Sequence, residues 1–404
     1  NGTVKAEQKI SDLAGGFSAV LDNSDEFGIG ITGLGDLDGD GINDIAVGSH
    51  QDDDGLNGNG GAVYVLFLNA NGTVKAHQKI SEPEGCLGVL FDANDRFGSS
   101  VANIGDLDGD GINDIAVGAK DDDDGGANKG AAYIVFLHAD GTVKGRQKIS
   151  QGTGGLTATI DPSAGFGIGV AGPGDVDGDG NEDIAVGAYW DDDGGTNRGA
   201  AYVLLLNSDG TVKGEQKISD TAGGLAATLD SNDEFGTAVG AAGDVDADGV
   251  PDIIVGAPKD DDGASLTGAA YVLFLNTDGS VKAEQKISNL EGALATTIDG
   301  SDQFGFAVAG TGDLDEDGTI GIVVGVYGDD DGGPADRGAV YVLDLAVPVV
   351  THTVSGTVFE DIAAEGLADG VIGDANNPGL PGVDVALIRE GPTPRTLEST
   401  GDVG

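Results

Sequence analysis

Aspartates at alternate positions of a short, glycine-containing segment are the residues of this chain best suited to bind a metal. The first copy reads DLDGDGIND and runs from Asp36 to Asp44. Carboxylates stand at positions 1, 3, 5 and 9, and the backbone carbonyl of position 7 can serve as a further ligand. The glycine at position 6 permits a sharp bend. Hard oxygen ligands at this density favour Ca²⁺ over softer metals, and over Mg²⁺, which prefers to keep several waters.

This segment recurs every 69 or 70 residues, which predicts one calcium loop in each of five repeats. The ligands predicted for the first four copies are Asp36, Asp38, Asp40, Ile42 and Asp44; Asp106, Asp108, Asp110, Ile112 and Asp114; Asp175, Asp177, Asp179, Asn181 and Asp183; and Asp244, Asp246, Asp248, Val250 and Asp252. The fifth copy offers Asp313, Asp315, Asp317 and Thr319. Because Gly321 stands at its position 9, we expect four strong sites and a weaker fifth. Acidic turns without metal are the alternative, but such turns need no fixed nine-residue spacing.

The residues around each loop predict strands rather than helices. Position 12, a glutamate in an EF-hand, is here a valine inside an apolar run, at Val47, Val117, Val186 and Val255. Each repeat contains four such runs: a small-residue run after Phe-Gly, two runs apolar on both faces, and a more polar fourth. An innermost strand of small residues, two buried middle strands and a more polar outermost strand are typical of a β-propeller blade.

We therefore predict an all-β fold, a β-propeller of five four-stranded blades over residues 1–347. The chain starts with a fourth strand and its last repeat stops after a third, so we expect the N-terminal strand to complete the fifth blade and close the ring. The alternative is that upstream repeats complete a larger ring. The chain starts without Met or a signal peptide, which predicts a mature product or a piece of a longer protein.

A second acidic feature, an Asp-Asp-Asp triplet, lies between the second and third strands of every repeat. The triplets are Asp52–Asp54, Asp122–Asp124, Asp191–Asp193, Asp260–Asp262 and Asp329–Asp331. A further aspartate lies between the fourth strand and the next first strand, at Asp22, Asp92, Asp161, Asp230 and Asp299. Both sets belong to the rim opposite the calcium loops. Two interpretations stay open: additional, weaker cation sites, or a solvated acidic rim.

The composition excludes several classes of function. Acidic residues outnumber basic ones 70 to 19, which argues against nucleic acid and anionic membrane surfaces as partners. No run of 18 apolar residues exists, so we expect no membrane insertion. The histidines fall at unrelated repeat positions, and Trp190 and the single Cys86 break the repeat pattern. Because no catalytic motif is present, we expect no enzymatic activity.

The repeats resemble FG-GAP repeats, the blades of the integrin α-subunit propeller. The resemblance rests on the loops above, on Phe-Gly pairs starting at Phe27, Phe97, Phe166, Phe235 and Phe304, and on Val-Gly-Ala-Pro at Val255 to Pro258. It implies that the calcium loops are structural and lie on one face. It also implies that the opposite face binds partners.

The segment 348–404 resembles a B-type domain of bacterial serine–aspartate repeat surface proteins, which are calcium-binding β-sandwiches. The matching residues are Ser355 to Asp361 and Gly379 to Leu387. We expect a partial sandwich here, with Asp361, Glu365, Asp369 and Asp374 as candidate ligands.

Together these features predict a calcium-binding adhesion or scaffolding module of a secreted or cell-surface bacterial protein. We expect a protein or glycan ligand on a propeller face, or self-association. Two alternatives are a structural subunit of a surface lattice or filament, and a non-catalytic accessory part of a larger secreted enzyme.

Overall fold

Short apolar runs rich in valine, isoleucine and tyrosine form the middle strands of each sheet, and glycine-rich turns separate the strands. The computed structural model describes residues 5–53, 58–82, 84–85, 87–88, 92–330 and 337–345. Within these ranges the chain contains nineteen β-strands and no helix. The strands form five antiparallel sheets, each built from consecutive strands. The predicted all-β, five-bladed propeller is therefore confirmed.

The blades follow one another along the chain. The first consists of β1 (Ile31–Gly35), β2 (Asp44–Ser49), β3 (Ala62–Leu68) and β4 (Val74–Ile80). The second consists of β5 (Phe97–Asn103), β6 (Ile115–Ala119), β7 (Ala131–Leu137) and β8 (Val143–Ile149). The third consists of β9 (Val170–Gly174), β10 (Asp183–Ala188), β11 (Ala200–Leu206) and β12 (Val212–Ile218). The fourth consists of β13 (Ala238–Gly243), β14 (Asp252–Ala257), β15 (Ala269–Leu275) and β16 (Val281–Ile287). The fifth contains β17 (Phe304–Gly312), β18 (Gly321–Val326) and β19 (Ala339–Asp344).

The first strand of each blade lies innermost, as its small residues predicted. Residues 29–32, 99–103, 168–172, 237–241 and 306–310 line one cavity of about 420 Å³. In the first four blades the second and third strands are buried on both faces; in β7, for example, every residue is buried. The outermost strands are mixed, as in β8, where exposed Lys144 follows buried Val143.

The hydrophobic core lies between neighbouring blades, and glycines allow the blades to approach closely. Val63 and Val65 of the first blade pack in one cluster with Val117 and Val135 of the second. At the same interface, a Cβ atom on Gly48 would lie 2.1 Å from the carbonyl oxygen of Gly98. The Val-Gly of one blade therefore touches the Phe-Gly of the next, and any side chain at Gly48 would force the blades apart.

The fifth blade differs from the expectation at its outer edge. Its sheet has three strands among the described residues, and in that part of the chain no backbone hydrogen bond joins residues 5–10 to β19. The predicted closing pairing is thus not formed there. The N-terminal segment contacts the first blade: Phe17 stacks on Phe27 with ring centroids 5.0 Å apart, and Gln8 lies against Gly72. The fourth-strand glutamines Gln78, Gln147 and Gln216 make the same contact with Gly141, Gly210 and Gly279 of the next blade. On β19, Val340 is 66% exposed.

The segment predicted to form a partial B-type sandwich, residues 348–404, lies outside the described residues. The boundary at 347 and the ligands proposed in that segment therefore stay predictions.

Candidate metal centres

Each aspartate-rich segment forms a tight loop between the first and second strands of its blade. In the first blade, the backbone N–H of Asp40 donates to Asp36 Oδ1 over 2.9 Å, and the N–H of Gly41 donates to Asp36 Oδ2 over 2.8 Å. Gly41 has a φ of +89°, in the left-handed region that glycine adopts without strain. The same two hydrogen bonds recur around Asp106, Asp175, Asp244 and Asp313. All five loops therefore have one conformation.

The aspartate at position 9 connects the loop to the end of the third strand. Asp44 accepts from the N–H of Leu37 over 3.1 Å and from the N–H of Leu68 over 2.9 Å. It is buried, and desolvation raises its pKa above the usual range of a carboxyl group. In the second and third blades, burial raises the pKa of Asp114 to about 7 and that of Asp183 to about 6. A cation bound beside these groups would stabilise their charged form.

Four of the loops bring three carboxylates together at the distances a cation requires. In each set, one oxygen from every member lies within 4.8 Å of the others. The sets are Asp36, Asp38 and Asp40; Asp106, Asp108 and Asp114; Asp175, Asp177 and Asp183; and Asp244, Asp246 and Asp248. Hard oxygen ligands of this number and spacing fit Ca²⁺. The predicted contributions of the position-7 carbonyls stay predictions.

The fifth loop has the same backbone but a different set of side chains. Gly321 replaces the position-9 carboxylate. The Thr319 hydroxyl donates to Asp317 Oδ1 and contacts Asp344 Oδ1, each over 2.6 Å. Asp344, which interrupts the apolar run of β19, was not among the predicted site residues. It places a further carboxylate near the loop, and the prediction of a weaker fifth site is not tested by this arrangement.

A lysine that was not among the predicted site residues contacts each of the first four loops. Lys75, the second residue of β4, lies 2.8 Å from Asp38 Oδ2 and also contacts Asp40. The hydrogen bond from Lys75 holds the pKa of Asp40 below its usual range. The equivalent lysines of the next three blades are Lys144, Lys213 and Lys282. The signal was present in the sequence, because every repeat contains Val-Lys at this position.

On the opposite rim, the first aspartate of each triplet is buried and paired rather than solvated. In the second blade, Asp122 is 1% exposed, accepts a hydrogen bond from the Tyr133 hydroxyl over 3.1 Å, and lies 2.6 Å from Lys148 Nζ. The ammonium also lies 5.5 Å from the Tyr133 ring centroid. The same three residue types meet in the first, third and fourth blades, at Asp52, Tyr64 and Lys79; Asp191, Tyr202 and Lys217; and Asp260, Tyr271 and Lys286.

At the first position of each triplet these contacts correct the solvated-rim interpretation, because that aspartate is buried and paired. The remaining triplet acids are more exposed. In the second blade, oxygens of Asp123, Asp124 and Asp92 lie within 4.8 Å of one another, which brings together the two loops that the sequence placed on this rim. Additional cation sites there stay a prediction. Asp54 and Asp331 lie outside the described residues.

A second buried carboxylate lies near the triplet in most blades. Burial raises the pKa of Asp95 and of Asp233 to about 7, and the negative charges of Asp122 and Asp260, respectively, add to this effect. The third blade has Ala164 at this position. The repeat therefore tolerates loss of this carboxylate.

The residues that precede each triplet on this rim, here called the channel mouth, differ between the otherwise similar blades. Two residues precede each triplet, and they read His-Gln, Lys-Asp, Tyr-Trp, Pro-Lys and Tyr-Gly in the five blades. Tyr189 stacks on Trp190 with centroids 4.5 Å apart, and the Trp190 indole N–H donates to Glu234 Oε1 over 2.8 Å. In the fifth blade, Tyr327 stacks on Phe306 with ring centroids 4.9 Å apart.

Cys86, which breaks the repeat pattern, lies outside the described residues.

Comparison with known proteins agrees with this geometry. A family model described as "FG-GAP repeat" matches residues 27–66, 97–135 and 235–273, and a second FG-GAP repeat model matches residues 161–204. Four of the five blades are thus similar to FG-GAP repeats, and the structure shows that the repeats form a β-propeller of the integrin type.

Several relatives of this chain are integrin α chains. Integrin alpha pat-2 of Caenorhabditis briggsae is 31% identical over 277 residues, which cover 64% of this chain and 20% of that protein. Integrin alpha-5 of Xenopus laevis is 34% identical over 158 residues, which cover 38% of this chain and 14% of the relative. Integrin alpha-2 of Mus musculus is 35% identical over 156 residues, covering 38% and 12%. The match thus spans a fifth or less of the length of these relatives.

In the part of the chain that the structure describes, no helix is long and apolar enough to cross a membrane.

Proposed function

We propose that this propeller is a calcium-stabilised, non-catalytic adhesion module of a secreted or cell-surface bacterial protein. The observation that supports it most directly is the repetition of the metal loops. Four loops with one backbone conformation each bring three carboxylate oxygens within 4.8 Å, at the same position of an FG-GAP blade. A role in catalysis would not require the same acids in successive blades.

Calcium has a clear physical task in this chain. The formal net charge is −51, and the loops concentrate part of it along one rim. Ca²⁺ bound only to the folded state stabilises it, by about 2.7 kcal/mol per site when the ion is at 100 times its dissociation constant. Because total stabilities are on the order of 5–15 kcal/mol, occupation of several loops would contribute a large part.

Thermal unfolding with and without calcium tests this role. We expect the melting temperature to fall by many degrees when a chelator replaces millimolar Ca²⁺, and Mg²⁺ to restore little of it. The double variant Asp108→Asn, Asp177→Asn removes half-buried ligands from two loops, so its calcium-dependent shift should be smaller. A melting temperature that is the same with calcium and with chelator would refute the calcium role.

The ligand-binding surface of the module is proposed to be the channel mouth on the triplet rim. Blades that repeat the same structural residues differ there, and the differing residues include the stacked pairs Tyr189–Trp190 and Phe306–Tyr327. Solvent-accessible aromatic rings among charged groups suit a protein or glycan ligand.

Binding to glycan arrays and to immobilised matrix proteins tests this surface. The variant Tyr189→Ala, Trp190→Ala should lose binding. The matched control is Leu314→Ala, which removes a 67% exposed apolar side chain from a metal loop on the other rim. Equal binding by both variants and the parent chain would contradict the assignment.

A second candidate role, as a subunit of a surface lattice or filament, is favoured by one feature. On β19, Val340 and Val342 are 66% and 59% exposed, whereas the equivalent Val63 and Val65 are fully buried between blades. Sedimentation of the parent chain and of Val340→Lys, Val342→Lys would test it, because association through this strand should disappear in the variant.

A further inference from the structure

A lysine ammonium group lies against the metal-loop carboxylates in each of the first four blades. Lys75, Lys144, Lys213 and Lys282 each contact the aspartates at positions 3 and 5 of their own loop. Their distances to the position-3 carboxylate lie between 2.6 and 2.9 Å. The contact is therefore part of the repeat and not a chance surface pairing.

The ammonium and a divalent cation would compete for the same oxygens. The position-3 carboxylate belongs both to the lysine contact and to the cluster that could hold an ion in all four loops, and the position-5 carboxylate does so in the first and fourth. Ca²⁺ binds oxygen ligands at 2.3–2.6 Å, so an ion among these carboxylates would lie close to the ammonium and be repelled by it. Lysine has a flexible four-carbon stem and can swing away into solvent. The Lys144 side chain is already 33% exposed.

We propose that these four lysines are built-in counter-ions: each holds its loop together without metal and is displaced when a divalent cation binds. This inference rests on the proposed calcium role of the loops. It makes metal binding an exchange of one cation for another, so the lysine lowers the apparent calcium affinity while it protects the metal-free blade from repulsion between its own carboxylates.

Among the described residues, no lysine contacts the carboxylates of the fifth loop. There the Thr319 hydroxyl, not an ammonium group, donates to the position-5 carboxylate Asp317. The residue that corresponds to Lys75 in the repeat is Lys5, which is exposed and forms no ion pair within the described part of the chain. Calcium binding to the fifth loop should therefore be independent of the four lysines.

Calorimetric calcium titration of the whole chain, with and without its lysines, tests the proposal. In the variant Lys75→Gln, Lys144→Gln, Lys213→Gln, Lys282→Gln, calcium should bind four sites about tenfold more tightly, which corresponds to about 1.4 kcal/mol per site. The metal-free variant should also melt at a lower temperature than the parent chain. The single variant Lys144→Gln gives the same test at one site if the fourfold variant does not fold.

The matched control is Lys129→Gln, which removes the same charge in the same blade from a lysine that donates to Gln151 on the other rim. Calcium affinity that stays equal or falls in the loop variants would overturn the counter-ion proposal, as would an unchanged melting temperature without metal. If only the lysine variant binds calcium, the lysines are permanent substitutes for the ion and the proposed calcium role of the natural chain fails. If neither binds calcium, both ideas are wrong.

Discussion

A lysine–aspartate pair lies at each end of the outermost strand, and the two pairs differ in their burial. In β8, Lys144 lies 2.6 Å from Asp108 at the metal-loop rim, and Lys148 lies 2.6 Å from Asp122 at the triplet rim. The Asp108 side chain is 20% exposed and that of Asp122 only 1%. The two lysine–aspartate distances are equal. The contact between Lys148 and Asp122 is structural, because Asp122 is buried and also accepts a hydrogen bond from the Tyr133 hydroxyl. The contact between Lys144 and Asp108 is one that an ion can replace.

The largest difference between the rims should appear when each lysine is replaced by an apolar residue of similar length. Lys148→Met leaves Asp122 buried without its counter-charge, which costs about 3–5 kcal/mol of unfolding free energy. Lys144→Met at the exposed rim should cost about 1 kcal/mol or less. Urea unfolding without metal measures both, and equal costs would show that burial does not distinguish the two pairs.

The third blade, which lacks the second buried carboxylate, allows the effect of that carboxylate to be tested. Lys217→Met leaves Asp191 buried beside Ala164, whereas Lys148→Met leaves Asp122 near the second buried carboxylate, Asp95. The third-blade variant should therefore lose less stability than the second-blade variant. The reverse order would contradict the assigned repulsion between the two carboxylates.

Removal of the tyrosine hydroxyl should have an intermediate effect. Tyr133→Phe deletes one hydrogen bond to the buried Asp122 and should cost about 1.5–3 kcal/mol, because bonds to charged groups are stronger than neutral ones. Tyr327→Phe is the control, since that ring is 62% exposed. Urea midpoints that fall equally for both would argue against the triplet contact.

The smallest expected effect concerns pH on the triplet rim. Burial raises the pKa of Asp233 to about 7, above the value of 3.8 expected in the unfolded chain, so the folded state binds the extra proton between these pH values. The contribution of Asp233 to stability is therefore present at low pH and is lost as pH rises through about 7. Asp233→Asn should reduce the loss of stability between pH 5 and pH 8 by on the order of 1 kcal/mol.

The exposed Asp261→Asn, in the neighbouring triplet, controls for the loss of one negative charge. A pH dependence that is identical in Asp233→Asn and in the parent chain would assign the effect to other groups.

The repeats allowed much of the architecture to be predicted from sequence. The spacing of Asp36, Asp38 and Asp40 gave the loop and its place between two strands, because alternate residues of a tight turn point inward. The gradient from small to apolar to mixed runs gave the order of strands in a blade. In the described residues the fifth sheet has three strands, because a local pattern shows that the N-terminal segment can pair but not whether its hydrogen bonds form.

The different burial of the two lysine–aspartate pairs could not be predicted from the sequence. Lys144 and Lys148 lie four residues apart in β8, which at about 3.3 Å per residue places them at opposite rims. Nothing in their local sequence tells the two apart, and nothing marks the first acid of a triplet as buried and the second as exposed.

The sequence by itself thus determined the number of blades, the order of strands and the conformation of the loops, because these follow from short-range chain geometry and from a pattern repeated five times. Only the tertiary structure decided which charged groups lose their water. Packing of one blade on the next encloses Asp122, Tyr133 and Lys148 and leaves Asp108 and Lys144 within reach of solvent. That difference in desolvation arises from residues distant in the chain, so no local pattern encodes it.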